Sequence, residues 1–362
     1  MVAIAAAMHG RRLLLPAALL HLHLLLVPLP PVQARVTALI VFGDSTVDAG
    51  NNNDIDIPTA VRSNFPPYGR DFPFPPRPGR ATGRFSNGRV ATDFYSEALG
   101  LGRAFVPAYL DPDYGIGDMA IGVCFASAGS GLDVATSRVF RVIPLWKQLD
   151  MFREYKSRLA DHLGAAEAHA VVAGGVYANY FALITTRYLE FTLAEYTDYL
   201  VGLARGFLAE LYGLGARKVG FTGLAPMGCV PLERARALGR RCAEEYNAAA
   251  RAFNAALADM VRELGGELPG VEIRVAEVYG FFEDMVRDPG RHGFARADVG
   301  CCGTGTYEMG YACGMWAAAA PAGTGTCPDA DRYVFWDAVH PTERASRLVA
   351  DHPINTTFGR FV

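Results

Sequence analysis

The chain of 362 residues contains only three lysines, Lys147, Lys156 and Lys218, so arginine supplies nearly all of its 34 basic residues. Against 37 acidic residues this leaves a formal charge of −3, which argues against a nucleic-acid binder, since such a protein normally carries a basic face or stripe. Charged residues make up 20% and hydrophobic residues 51% of the chain, too few and too many, respectively, for a disordered protein. The seven cysteines include no C-x-x-C pair, so the usual spacing of a zinc or redox site is missing. No internal repeat and no long linker break the sequence. Its longest apolar stretch, Leu13–Val27, falls short of the roughly 20 residues a membrane-crossing helix needs.

That stretch follows Arg11 and Arg12 and is closed by Pro28, Pro30 and Pro31, and Val32-Gln33-Ala34 has the small-x-small form of a cleavage site. Residues 1–34 are therefore expected to be an export signal, with a transmembrane anchor as the competing reading. Residues 35–362 are expected to be one secreted domain with no stable membrane insertion. Export places the cysteines where disulfides persist. Cys229 and Cys242 bracket a short loop and are expected to pair. Cys301, Cys302, Cys313 and Cys327 crowd a Gly-rich segment that needs stapling, and their pairing is left open. Cys124, alone in an apolar stretch, reads as a small core residue. No metal or cofactor is expected.

Val36–Phe42 is a continuous apolar run of strand length, which fits a strand buried on both faces and ending at Gly43-Asp44-Ser45. Further strands are expected at 121–126, 170–173, 217–222, 271–278 and 333–336. Helices are expected at 90–99, 146–163, 193–214 and 242–264, the second and fourth from apolar residues at helical spacing. Alternating strands and helices imply a mainly parallel sheet covered on both faces. Chemistry in such a sheet gathers beyond the carboxyl ends of its strands, here at Ser45, 127–131, 174–177, 223–228 and the residues after Trp336. Residues 50–90, rich in Asn, Pro, Gly and Arg, read as a long loop of the kind that is usually functional.

A serine hydroxyl needs a base to remove its proton, and the base needs a third group to orient it. Of the five histidines beyond residue 34, only His340 has an acidic residue at a useful spacing, in Asp337-Ala338-Val339-His340-Pro341. One helical turn would bring residues three apart to the same face, with Pro341 suited to a first helical turn. Alone, Asp-x-x-His is also the pattern of a capping Asp beside a surface His.

Six blocks occur in order: 42–53 (Phe-Gly-Asp-Ser-Thr-Val-Asp-Ala-Gly-Asn-Asn-Asn), 83–89 (Gly-Arg-Phe-Ser-Asn-Gly-Arg), 125–131 (Phe-Ala-Ser-Ala-Gly-Ser-Gly), 228–231 (Gly-Cys-Val-Pro), 301–305 (Cys-Cys-Gly-Thr-Gly) and 335–343. On these the sequence resembles the plant-type GDSL esterase/lipase family, a branch of the SGNH hydrolases. The resemblance covers essentially all of residues 35–362. It implies a flavodoxin-like three-layer α/β/α sandwich and hydrolysis of carboxylic esters: small-molecule, cell-wall or lipid esters. It implies Ser45 as nucleophile, His340 as general base and Asp337 as the third member of the triad. It implies the backbone amides of Ser45 and Gly129 as oxyanion donors. Gly43-Asp44-Ser45-Thr46-Val47 lacks the G-x-S-x-G elbow of an α/β-hydrolase.

The chain departs from the family at three places. Thr46 stands where the first motif has Leu. The Asn-Asp of the third block, whose Asn supplies a further oxyanion donor, is missing between Gly175 and Val176, and Asn179 is the nearest Asn. Cys124 stands where an Asn precedes Phe-Ala-Ser, and is expected to loosen the Gly129 turn. The missing Asn motivates an alternative: an impaired member that binds acyl or carbohydrate ligands without turnover. Phe65, Phe72, Phe74, Phe85 and Phe94 read as core, with an acyl-pocket lining as the other reading. Asn355-Thr356-Thr357 is a glycosylation acceptor sequence.

Overall fold

Every residue from Leu39 to Gly43 is buried, because the strand they form lies mid-sheet with both faces covered. The computed structural model describes residues 36–361 except 59–60, 75, 181–186 and 322–324. The export signal expected at 1–34 lies outside the described residues. Five strands, β1 (Leu39–Gly43), β2 (Gly122–Cys124), β3 (Val176–Tyr180), β4 (Lys218–Thr222) and β5 (Glu272–Ala276), pair in the order β2-β1-β3-β4-β5. All four pairings are parallel, and the order is that of a flavodoxin-like sheet.

Side chains alternate across β1 as a strand's period of two requires. Ala38, Ile40 and Phe42 face a core built with Leu149, Phe152, Leu200, Phe207, Phe253 and Leu257. These come from the helices Leu145–Leu163, Leu193–Gly213 and Glu244–Glu267. Leu39 and Val41 face the other way, toward Phe94, Tyr95 and Ala350 of the helices Ala91–Ala98 and Glu343–Thr356. The result is helices, sheet, helices: the α/β/α sandwich the resemblance implies. The apolar spacing of the second and fourth expected helices includes Trp146 and Tyr246, yet these two side chains are 57% and 48% exposed.

The expected strand at 170–173 is a helix, Ala165–Gly174. Alanine fills half of that segment and is the best helix former, which outweighs the short Val171-Val172 pair. The helix stops at the two glycines, and the alternating Val-Tyr-Ala-Asn-Tyr that follows makes β3, with Phe42 opposite Asn179 and Gly43 opposite Tyr180. A separate parallel pair joins Arg296–Gly300 (β6), a strand whose charged sequence hides it, to Tyr333–Phe335 (β7), which does not extend the main sheet.

The ring of Phe152 is fully buried against Phe42, Phe125 and Tyr177. Phe152→Ala should lower the unfolding free energy by about 3–5 kcal/mol, read from the denaturant midpoint at unchanged slope.

Candidate active site

Ser45 lies two residues past the end of β1, in a turn without regular structure. The turn is shaped by Asp44, whose carboxylate accepts from the Thr46 amide (2.9 Å) and hydroxyl (2.7 Å). Thr46 therefore adds a hydrogen bond that Leu could not make. Buried polar side chains tie this turn to the one that follows β2. Asp48 accepts from the amides of Gly50 (2.8 Å), Asn51 (2.9 Å) and, across the gap, Ala128 (2.8 Å). Asn51 donates to the carbonyls of Cys124 and Ala126, and Asn52 to that of Ala128. Gln148, fully buried, donates to the Gly43 carbonyl (3.0 Å) and the Ser130 hydroxyl (3.3 Å), and its own carbonyl accepts from the Gly43 amide (3.0 Å).

Gly129, at φ 81°, sits in that second turn, and a Cβ there would crowd Val61 and Phe140. Among the described residues neither the Ser45 amide nor the Gly129 amide donates a hydrogen bond within the protein. The Cys124 thiol donates to the Val47 carbonyl (3.2 Å), and burial pushes its pKa up to about 12, so it stays a thiol. Beside it, Asp48, Asn51, Asn52 and Gln148 hydrogen-bond the turn that carries Gly129.

From the other end of the chain, His340 reaches Ser45: Nε2 to Oγ is 2.8 Å. Its Nδ1 lies 2.8 Å and 3.0 Å from the two carboxylate oxygens of Asp337. That contact places the ring proton on Nδ1 and leaves Nε2 to accept from the serine. Asp337 and His340 are not on a helical turn as the spacing suggests. Asp337 Oδ1 accepts the amides of Val339 (2.8 Å) and His340 (2.7 Å), and the Trp336 amide donates to the His340 carbonyl (2.7 Å), closing a tight bend. Asx-type bonding of this kind competes with helix. Pro341 bridges back to Phe335, and the helix begins only at Glu343, capped by Thr342.

Two further side chains complete the surroundings. Tyr68 donates to Asp337 Oδ2 at 2.7 Å. Phe85, read as core or acyl pocket, packs on the His340 ring with centroids 4.6 Å apart. Tyr68 leaves no local signal in the sequence, being 269 residues from its partner. Gln148 does leave one: it is the polar residue on the apolar stripe of its helix, between Leu145 and Leu149. A second His–Asp pair, His292 with Asp284 at 2.9 Å, forms where sequence spacing gives no hint, and neither residue lines the pocket at Ser45.

That pocket, about 910 Å³ including its open mouth, is lined by Ser45, Gly129, Pro341 and the apolar side chains of Val47, Met227, Val230, Val278, Phe282 and Val349 among others. None of Phe65, Phe72, Phe74, Phe85 and Phe94 lines it, so the acyl-lining reading of those five is replaced by the core reading for the buried Phe72, Phe85 and Phe94. The pocket draws on the turns after β1, β2 and β4 and on the 335–341 segment. The expected contribution from 174–177 is missing, because β3 ends at Tyr180. Cys229 pairs with Cys242 as expected, and Cys301–Cys327 and Cys302–Cys313 take the other four. Asn355 is exposed on the last turn of its helix.

The chain is similar to known proteins along most of its length. The profile of the GDSL-like lipase/acylhydrolase family matches residues 39–352. The chain belongs to that family. It is 46% identical to the GDSL esterase/lipase At4g26790 of Arabidopsis thaliana, with 93% of this chain and 95% of that one covered. It is 48% identical to At2g42990 of the same plant and description, over 88% and 91% of the two chains. In this GDSL chain the motif serine lies two residues beyond the end of the first strand.

Burial is the largest influence on Asp48 and raises its pKa from 3.8 to about 6, against the lowering effect of three backbone donors. Between those values the unfolded chain has released the proton that the folded chain still holds, so this group's contribution to stability falls as pH rises. The stability of the wild type relative to Asp48→Asn should therefore drop by up to about 3 kcal/mol from roughly pH 4 to pH 7, measured by urea unfolding across that range.

Proposed function

We propose that this protein is exported and hydrolyses carboxylic esters by acyl transfer through Ser45. The observation that carries the reading is the unbroken hydrogen-bonded relay Ser45–His340–Asp337 facing an apolar pocket. In the proposed reaction the ester's acyl group enters the pocket. Ser45 Oγ attacks the carbonyl carbon while His340 Nε2 takes the hydroxyl proton. Asp337 holds the imidazole and stabilises its cation. The amides of Ser45 and Gly129 hydrogen-bond the oxyanion. Collapse of the tetrahedral intermediate expels the alcohol, which takes the proton from His340. Water then repeats the sequence on the acyl-enzyme and releases the acid.

The pocket's lining favours an uncharged acyl or acetyl group on a small-molecule, cell-wall or lipid ester. The export proposal is supported by the signal-like residues 1–34 and by three disulfides, which persist in oxidising compartments. An exposed Asn355 is the proposed glycosylation site. Among the described residues no helix is long and apolar enough to cross a membrane.

A second reading, a family member that binds its ligand with little turnover, rests on the third-block Asn. Asn179 lies within β3 opposite Phe42 rather than beyond the strand end, and no Asn follows it before the helix Leu193–Gly213. Loss of one oxyanion donor typically lowers turnover about 100- to 1,000-fold. The purified protein should hydrolyse short acyl nitrophenyl esters slowly, and Ser45→Ala should abolish that rate and fluorophosphonate labelling together. Equal rates in wild type and variant would overturn the esterase reading. Labelling of Ser45 without measurable hydrolysis would favour the binding one.

A further inference from the structure

The relay does not end at Asp337. Its carboxylate is fully buried, and after His340 and the two amides of its own bend the remaining hydrogen bond among the described residues, on Oδ2, is from the Tyr68 hydroxyl at 2.7 Å. The hydroxyl cannot turn away, because its oxygen accepts the Gly310 amide, also at 2.7 Å. With its acceptor position filled, its proton is directed at Asp337. The ring is fixed as firmly. It is 1% exposed and meets Phe65, Phe85 and Trp336 edge-on at centroid distances of 6.1, 5.7 and 6.3 Å. Phe85 in turn packs on His340. Gly310 directly precedes the helix Tyr311–Ala319, and the Cys302–Cys313 disulfide pins that helix to the segment beside Asp337.

We propose that Tyr68 is a positioning residue for ester hydrolysis: its hydroxyl holds Asp337 in the orientation that presents both carboxylate oxygens to His340 Nδ1. The inference rests on the triad reading above. Burial, and then the charge of Asp337, push the Tyr68 phenol well above its ordinary pKa of 10, so it remains a donor throughout the assay range. Without this bond Oδ2 keeps, among the described residues, only the imidazole, and rotation of the carboxylate about its χ2, a soft torsion, is opposed by the two amides on Oδ1 alone. The buried Gly310 amide would also lose its acceptor.

Tyr68→Phe removes the oxygen and keeps the ring. Hydrolysis by the wild type and its absence in Ser45→Ala decide the triad reading first. Against that wild type, Tyr68→Phe should lower kcat about tenfold with KM changed less than about twofold, and should slow fluorophosphonate labelling of Ser45 by the same factor. On an Asp337→Asn background the same substitution should cost nothing further, since its effect runs through the carboxylate. Unchanged kcat and labelling in Tyr68→Phe, or an equal loss on both backgrounds, would overturn the proposal. A near-UV circular dichroism spectrum matching the wild type shows that the variant retains its packing.

Discussion

Ser45 stands in a turn that no helix or strand holds in place, so its position depends on buried polar side chains. Asp48, Asn51, Asn52 and Gln148 are all within 2% of complete burial. Such groups are costly to bury unless they are hydrogen-bonded, and each of these bonds backbone at the end of β1 or β2 or in the turn that follows. The Asp-x-x-Asn-Asn pattern after the serine thus belongs to the frame that fixes the distance between the Ser45 and Gly129 amides. In the proposed mechanism rigidity matters there, because an oxyanion donor contributes only if it is already in place when charge develops.

The histidine arrives from 295 residues further along the chain, and a different set of constraints delivers it. Adjacent Cys301 and Cys302 donate their amides to the carbonyls of Phe335 and Trp336, immediately before Asp337. The Ala338 amide donates to the Glu308 carbonyl. A Cβ at Gly300 would lie 2.5 Å from the Asp337 carbonyl oxygen, so glycine permits this close approach. The 301–327 segment has little hydrophobic periodicity of its own, and its two disulfides limit the loop entropy it would otherwise have when unfolded. On the outer side Asn87 accepts the Glu343 amide and Arg89 pairs with the Glu343 carboxylate. The Gly-Arg-Phe-Ser-Asn-Gly-Arg block therefore clamps the helix that follows the histidine.

What is legible in the sequence is what periodicity and chain order encode. The apolar run at β1, the long helices and the serine and histidine at opposite ends of the chain follow from local patterns. The third strand does not, because an alanine-rich helix and a buried strand are both short apolar runs, and periodicity alone does not separate them. The Asp337–His340 bend reads as helical because a spacing of three suits both a helical turn and an Asx-type turn. Tyr68 is invisible for another reason: it sits in a Pro-rich loop, and its contact with Asp337 exists only after distant segments have come together.

In the proposed mechanism the absent third-block Asn acts on a site whose other donors are backbone amides. Those two amides belong to turns fixed by the fold itself, so losing a side-chain donor leaves them where they were. Activation of the serine is separate again, since it depends on His340 and the groups behind it and not on the oxyanion site. A chain of this kind keeps an activated nucleophile while losing part of the stabilisation that the tetrahedral intermediate receives. Because acylation and deacylation both pass through such an intermediate, the loss falls on both steps. Differential stabilisation of the transition state, rather than binding of the ester, is the quantity that the missing side chain reduces.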